Sequence, residues 1–222
     1  MINVALDGPS GAGKSTIAKA VARTFDYIYI DTGAMFRSLA FKALESGIDI
    51  ASDYEAVEKM LRETVLDIAR ENGEQQMILD GQNVNAFIRT PEVSKAASDI
   101  AVIPFVRQWL LKTERMFAEK YNCIMDGRDI GTSVLPNADV KIFLTASAEA
   151  RAKRRLAELV EKGVEVSFDE VLAEMQYRDK QDSEREISPL KKAHDAHIAD
   201  TTELTLDESV NLVCDIIRKV IG

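Results

Sequence analysis

Gly8-Pro9-Ser10-Gly11-Ala12-Gly13-Lys14-Ser15, near the amino terminus, fits the pattern G-x-x-x-x-G-K-S/T of a phosphate-binding loop. Such a loop needs a strand before it and a helix after it, and both flanks are present. Ile2–Leu6 is a short apolar run typical of a strand, and Ser15–Phe25 places apolar side chains on one helical face. The glycines let backbone N–H groups turn inward, and the helix presents its positive dipole end to an anion. The stretch therefore predicts a nucleoside triphosphate site.

The side chains at the end of the loop have predicted roles at the phosphates. We expect Lys14 to reach the outer phosphates and the hydroxyl of Ser15 or Thr16 to hold Mg²⁺. The ATP-binding segment predicted on this basis is Gly8–Thr16. The loop indicates which ligand binds and leaves open what is done with it.

Strands and helices alternate along much of the chain, which predicts an α/β fold. Apolar runs bounded by turn residues indicate four more strands of a parallel sheet. These runs are Tyr27–Asp31, Cys123–Met125, Val140–Leu144 and Ala196–Asp200. A closing helix, Asp207–Val220, has apolar residues at helical spacing.

The segment between the second and third of these five strands contains a different pattern. We expect a helix capped by Ser52 and two short strands, Val65–Ile68 and Gln76–Leu79, joined by a turn at Glu71-Asn72-Gly73-Glu74. Asp80-Gly81 then indicates a hairpin. Short local strands inside a strand–helix alternation predict an inserted antiparallel subdomain. This subdomain is either a clamp for a second substrate or an insertion without a role in binding.

The stretch Cys123–Asp129 is the next informative one. An apolar strand ends in Asp126, which is followed by Gly127, Arg128 and Asp129. In phosphate-loop proteins a carboxylate at such a strand end orders the Mg²⁺ shell, and a neighbouring arginine can hold a phosphoryl oxygen in a bidentate way. The alternative is a surface turn that carries an Asp–Arg pair.

Basic residues concentrate late in the chain. A helix capped by Ser147 contains Arg151, Lys153, Arg154 and Arg155. A solvated face and a role near phosphate are both open for this cluster. After Gly163 a second helix is expected at Asp169–Arg178, and residues 178–185 are charged with little to bury, which indicates mobility. A mobile pair of basic helices would suit a lid that excludes water from the phosphates.

Composition excludes several classes of protein. The 222 residues carry a net charge of -9, which argues against general nucleic-acid binding. Cys123 and Cys214 match no metal-site spacing, and we expect both to be reduced buried thiols. No apolar run approaches the roughly 18 residues of a membrane span. We expect a cytoplasmic, monomeric protein that binds neither nucleic acid nor membrane.

Four features together favour phosphoryl transfer. They are a phosphate loop, an acidic strand end, an inserted segment that could clamp a second substrate, and arginines in the C-terminal third of the chain. That reaction needs charge neutralisation and alignment more than covalent chemistry, and it must keep water from becoming the acceptor. Arginines in separate parts of the chain fit transfer to a second small molecule better than hydrolysis. The residues therefore predict a small-molecule kinase that uses ATP and Mg²⁺.

Several stretches together resemble the bacterial cytidylate kinase family, within the nucleoside monophosphate kinases. They are Leu6–Thr16, Asp31–Arg37, Asp126–Thr132 and Arg185–Leu190. The resemblance runs nearly end to end, and the motif at Asp126–Thr132 is more specific than the phosphate loop. It implies the phosphate-loop nucleoside monophosphate kinase fold: a central parallel five-stranded sheet flanked by helices, an inserted nucleotide-binding subdomain with a small antiparallel sheet, and a helical lid. The implied boundaries are core 1–33, 97–151 and 186–222, insertion 34–96 and lid 152–185.

The resemblance also implies a reaction, the transfer of the ATP γ-phosphoryl group to CMP or dCMP, and roles for individual residues. Those implied to read the cytosine are Ser98, Arg107 and Asp129, with Thr32 beside the base. Those implied to grip the acceptor phosphate are Arg37, Arg128 and Arg185, and those implied to meet the ribose hydroxyls are Arg178 and Asp182. The implied catalytic residues are Lys14, Arg128, Arg178 and Arg185. The implied metal residues, partly through water, are Ser15, Thr16 and Asp126, and the lid residues near ATP are Arg154 and Arg155.

Some positions depart from the family's pattern. Phe36 stands where tyrosine is usual, so a hydrogen bond from that ring is absent. Ser15 stands where some members have glycine, which adds a second hydroxyl beside Thr16. Two other functions stay open, namely a kinase for another nucleotide or metabolite on the same core, and a non-enzymatic nucleotide-binding regulator.

Overall fold

The computed structural model describes residues 1–71, 74–161 and 163–222, with only the backbone of residues 70, 71 and 74. The elements in chain order are β1 Asn3–Asp7, α1 Lys14–Phe25, β2 Ile28–Asp31, α2 Thr32–Glu45, α3 Tyr54–Arg62, β3 Leu66–Glu71, β4 Glu74–Leu79, β5 Gln82–Asn83, α4 Pro91–Ile100, α5 Pro104–Lys120, β6 Cys123–Gly127, a π-helical turn Ile130–Val134, β7 Val140–Thr145, α6 Ala148–Glu161, α7 Phe168–Glu184, β8 His197–Asp200 and α8 Leu206–Ile221. The middle of the predicted turn at 71–74 lies outside the described residues.

The central sheet has five strands in the order β2-β6-β1-β7-β8. β1 pairs in parallel with both β6 and β7, and β7 pairs in parallel with β8. The predicted parallel five-stranded sheet is therefore confirmed. β1 lies between β6 and β7 and runs parallel to both, so the loops after these three strands leave the same edge of the sheet. Open α/β sheets bind ligands at this edge.

The chain divides into two compact units, residues 1–29 with 122–222, and residues 30–121. The first unit, which we call the phosphate-loop unit, has a core of β-strand and helix residues in which Leu6, Ile124 and Ile142 pack with Val21 and Ile217. All five of these apolar side chains are at most 1% exposed. Burial of apolar area stabilises a fold by about 25 cal/mol per Å², so this core keeps in place the strands that carry the loops.

The second unit contains the predicted antiparallel subdomain. Its sheet has the order β3-β4-β5, with β3 antiparallel to β4 and β4 antiparallel to β5. The hairpin at Asp80-Gly81 is confirmed, and both residues have positive φ. The predicted cap of α3 is wrong: Asp53, not Ser52, accepts the N–H of Ala56, because the Ser52 hydroxyl donates to Asp49 instead.

Helices α6 and α7 form a hairpin with its own small apolar core, made by Ala152, Val171 and Met175. Ser167 and Glu170 form a capping box at the start of α7. The helix predicted to end at Arg178 continues to Glu184. Lys180, Gln181 and Glu184 are good helix formers. Asp179 and Asp182 make ion pairs with Arg151 and Arg128 that hold this part of the helix. The charged segment is thus the last part of a capped helix. Among the described residues, no helix is long and apolar enough to cross a membrane.

Candidate active site

The phosphate loop turns between β1 and α1 through glycines that the fold requires. Gly8 has φ 154°, and a Cβ there would lie 2.0 Å from the carbonyl oxygen of Leu144. Gly11 has φ 72°, and its Cβ would lie 2.2 Å from the terminal carbon of Met175. Gly8 therefore has no room for any side chain, and α7 packs against the tip of the loop at Gly11.

Lys14 opens α1 and is buried at 7% exposure. Its ammonium group donates to the carbonyl oxygen of Pro9 at 2.7 Å. Burial holds the pKa of Lys14 well below its usual value, and repulsion by Arg128 lowers it further, while Asp126, Asp182 and Asp7 oppose the shift. The lysine of the phosphate loop thus interacts electrostatically with residues of the Asp126–Asp129 stretch and with α7.

Asp126, on β6, is held by hydroxyl groups at both carboxylate oxygens. Ser15 Oγ donates to one oxygen at 2.8 Å, and Tyr29 Oη donates to the other at 3.1 Å. Among the described residues no three His, Cys, Asp or Glu side chains form a metal cluster. Mg²⁺ in phosphoryl-transfer sites takes oxygen ligands from one or two protein groups and completes its shell with water and substrate phosphates. The Ser15 hydroxyl and the adjoining Asp126 carboxylate could contribute such oxygen ligands.

Asp7 lies at the end of β1, and sequence reasoning assigned it no role beyond ending the strand. Its two carboxylate oxygens accept the backbone N–H groups of Ile130 and Gly131, each at 2.7 Å. Burial raises the pKa of Asp7 from 3.8 to about 6, and the neighbouring Asp129 carboxylate adds to the rise. Asp7 therefore ties the start of the phosphate loop to the turn that follows Asp129.

Four predicted acceptor-site residues lie in two crossed ion pairs. Arg128 Nε is 2.7 Å from Asp182, and Arg185 is 3.3 Å from Asp129. The pairs join the β6 loop to the end of α7 and the residue after it, which are 54 and 56 residues away in the chain. The structure thus brings these four residues together.

The loop that carries Arg128 and Asp129 continues into the π-helical turn. The carbonyl of Asp129 accepts from Val134, and that of Ile130 accepts from Leu135, both with the five-residue spacing of a π-helix. Such turns are rare and are frequently found at functional sites. The turn begins immediately after Asp129, so the position of that carboxylate depends on it.

The basic residues of the α6–α7 hairpin have different surroundings. Arg151 is buried and donates to the carbonyls of Ser10 and Ala146 and to the Asp179 carboxylate, the last at 2.6 Å. It links the phosphate loop to α7, and sequence reasoning treated it only as one of a basic cluster, because burial of a single arginine leaves no periodic signal. Arg154 donates to Thr201 and Leu204 after β8. The exposed Arg155 pairs with Glu158, and Arg178 is exposed on α7.

In the second unit, Asp31 organises the start of α2. It is 6% exposed, it caps the helix by accepting the N–H of Ala34, and it pairs with Arg37 at 3.0 Å. Arg89 lies 3.5 Å from the same carboxylate oxygen. The buried Nε of Arg37 has no hydrogen-bond partner among the described residues. An unsatisfied guanidinium N–H is suited to an anionic ligand.

The residues predicted to read the base also lie in this unit. Arg107 on α5 donates to the carbonyl of Ala101 at 3.3 Å, and its guanidinium lies 5.5 Å from the centre of the Phe36 ring. Ser98 on α4 is exposed and donates to Ser94. Thr32, the first residue of α2, is buried. Phe36 keeps the ring that a guanidinium stacks on and lacks only the hydroxyl.

A family model described as cytidylate kinase matches residues 4–219. The chain belongs to the cytidylate kinase family. A cytidylate kinase from Bacillus licheniformis is 50% identical over 217 residues, which make up 97% of this chain and 96% of the relative. One from Caldicellulosiruptor saccharolyticus is 48% identical and covers 100% of this chain and 97% of its own length. One from Lactobacillus johnsonii is 45% identical, with 99% and 95% covered.

The fold is also similar to a solved structure of an uncharacterized protein from Eubacterium ventriosum. The TM-score is 0.55 at 13% identity, and the match covers 98% of this chain and 99% of the other. This likeness concerns the fold alone. Membership of the cytidylate kinase family, which the sequence motifs predicted, is therefore confirmed by relatives that match over nearly their full length.

Proposed function

We propose that this protein transfers the γ-phosphoryl group of ATP to CMP or dCMP, giving ADP and CDP or dCDP. Family membership across residues 4–219 supports the reaction class. The observation that carries the proposal is the crossed arrangement of Arg128, Asp182, Asp129 and Arg185 beside the lysine of the phosphate loop. A protein that only bound or hydrolysed ATP would not need Arg128 and Arg185 for a second phosphate-bearing molecule.

On the donor side, the phosphate loop supplies inward N–H groups and Lys14 supplies the cation. Lys14 is buried and donates to the Pro9 carbonyl, so its ammonium group is held within the loop. Bound phosphates would offset the effect of burial on the pKa of Lys14, because an anion favours the protonated form. We propose that Arg154 and Arg155 contribute to the ATP site from α6.

We propose that Ser15, Thr16 and Asp126 hold Mg²⁺, Asp126 partly through water. Bound Mg²⁺ would neutralise charge on the β- and γ-phosphate oxygens. The 2.8 Å contact between Ser15 and Asp126 supports this assignment, because it brings the hydroxyl and the carboxylate to one place. Thr16 is the neighbouring hydroxyl on α1.

On the acceptor side, the two ion pairs hold arginines ready for a phosphate. Arg128 and Arg185 are 20% and 14% exposed at the side chain, so each is partly shielded from water and kept in place by a carboxylate. An incoming phosphate would compete for both guanidinium groups, since charge-assisted bidentate contacts to phosphate are strong. Asp182 would then be released toward the ribose hydroxyls, with Arg178, and Asp129 toward the cytosine amine.

Cytosine presents a carbonyl, a ring nitrogen and an exocyclic amine, which need two donors and an acceptor. We propose that Ser98 and Arg107 supply the donors and Asp129 the acceptor, with Thr32 beside the base. Arg37, with its unsatisfied buried Nε, is proposed as a further ligand of the acceptor phosphate. A carboxylate that reads the amine would discriminate cytosine from uracil, which has a carbonyl there.

The test is a coupled ADP-release assay with CMP, dCMP, UMP, AMP and GMP as acceptors. We expect CMP and dCMP to be preferred. Asp129→Ala should lower the preference for CMP over UMP, while Asp99→Ala, at an exposed position on α4, should leave it unchanged. A strong preference for a purine acceptor would refute the proposal, and an unchanged preference in Asp129→Ala would remove that residue from base recognition.

A further inference from the structure

The Asp126 carboxylate is fixed from two directions by groups of different origin. Ser15 belongs to the phosphate loop and donates to one oxygen, and Tyr29 belongs to β2 and donates to the other. Asp126 is 4% exposed and Tyr29 is 7% exposed. A carboxylate held at both oxygens cannot rotate about its Cβ–Cγ bond without losing a hydrogen bond.

The hydroxyl of Tyr29 is separable from the packing of its ring. The ring belongs to the core of the phosphate-loop unit, together with Leu6, Ile124 and Val21. Buried tyrosines combine such an apolar body with a polar end that seeks a partner. Phenylalanine at this position would keep the apolar body and remove the hydroxyl that contacts Asp126.

The contacts from Ser15 and Tyr29 to Asp126 would play different parts in a metal site. A serine hydroxyl that ligates a metal through its lone pair still has its proton for Asp126, so Ser15 can serve both. Tyr29 donates to the other carboxylate oxygen and so fixes the direction in which Asp126 would face the ion. Groups that orient a metal's ligands in this way typically contribute 10- to 100-fold, in approximate terms, to metal affinity or activity.

We propose that Tyr29 is a positioning residue that holds the Asp126 carboxylate in the orientation required for the metal shell of the phosphoryl-transfer site. This inference rests on the proposed role of Ser15 and Asp126 toward Mg²⁺. Tyr29 does not touch substrate, and its effect passes through Asp126. It was predicted from sequence only as part of a buried strand.

The test measures metal binding directly, with Mn²⁺ as the probe and a non-hydrolysable ATP analogue bound to the full-length protein. Electron paramagnetic resonance of free Mn²⁺ gives the dissociation constant. Tyr29→Phe should weaken Mn²⁺ binding by about tenfold, with little change in Tm and with the KM for CMP retained. Tyr27→Phe is the matched control, because Tyr27 is a buried tyrosine two residues away whose ring packs against Phe25.

Unchanged Mn²⁺ binding in Tyr29→Phe would overturn the inference. An equal weakening in Tyr29→Phe and Tyr27→Phe would also overturn it, because the cause would then be packing. Asp126→Asn separates this failure from failure of the proposed metal site. If Asp126→Asn weakens Mn²⁺ binding and Tyr29→Phe does not, only the role of Tyr29 is lost. If Asp126→Asn has no effect either, the assignment of Asp126 to the metal is wrong.

Discussion

Replacing Asp7 by asparagine should change how the stability of the protein depends on pH. Asp7 is 4% exposed and accepts two backbone N–H groups, from Ile130 and Gly131. Its pKa in the folded protein is raised to about 6 from 3.8, mainly by burial. At about 1.36 kcal/mol per pKa unit, ionisation of Asp7 costs the folded state about 3 kcal/mol.

The sign of the effect follows from proton binding. Between pH 3.8 and about 6 the folded state binds more protons at Asp7 than the unfolded state, so its contribution to stability falls as pH rises. The contribution is fully present below the unfolded pKa and is lost above the folded pKa. Asparagine cannot ionise, so the variant lacks this dependence.

The assay is urea unfolding of wild type and Asp7→Asn, followed by circular dichroism between pH 4 and pH 8. The free energy of unfolding of the variant minus that of wild type should rise by about 2.5 kcal/mol across this range, because wild type is already partly ionised in the unfolded state at pH 4. Asp99→Asn, an exposed carboxylate, controls for the loss of one charge and should show no such rise. Parallel curves for wild type and Asp7→Asn would refute the reasoning, because the two N–H donors would then compensate burial completely.

Three further substitutions test the phosphate loop and its supports. Lys14→Ala should lower kcat by about 10²-fold or more, because one preorganised cation at the transferring group is lost; near-normal turnover in the coupled assay would remove Lys14 from the mechanism. Gly8→Ala should lower the unfolding free energy by about 3 kcal/mol, since its Cβ would lie 2.0 Å from the Leu144 carbonyl, and an unchanged Tm would contradict this. Asp179→Ala should lower the free energy of unfolding by about 1–3 kcal/mol, because it leaves the buried Arg151 without its carboxylate partner. Hydrogen exchange in α7 at the wild-type rate would contradict this.

Much of the fold was predictable, because the signals are local. Strands such as Val140–Thr145 are apolar runs between turn residues, and the phosphate loop has fixed glycine spacing. The cap of α3 was mispredicted because Ser52 and Asp53 are both good capping residues, and only the structure shows that Ser52 bonds to Asp49. The length of α7 was underestimated because a charged segment without apolar residues can be helical when the helix before it is well capped.

The candidate site was predictable where motifs carry it and not where tertiary contacts do. Arg128, Asp129, Asp182 and Arg185 were predicted through family resemblance, and their crossed pairing depends on chain segments more than 50 residues apart. Asp7 and Tyr29 were assigned no site role, and Arg151 was treated only as one member of a basic cluster, since single residues in ordinary elements give no periodic or spacing signal. Their partners become visible only when the sheet and the α6–α7 hairpin are assembled.

The central claim is that a phosphoryl group passes from ATP to a cytidine monophosphate held by the paired arginines. It is tested most directly by incubating the protein with ATP labelled in the γ-phosphate, Mg²⁺ and CMP, and separating the products. The account predicts that the label appears in CDP and that Arg128→Ala greatly reduces its formation. Label recovered as inorganic phosphate, with no labelled CDP, would contradict it.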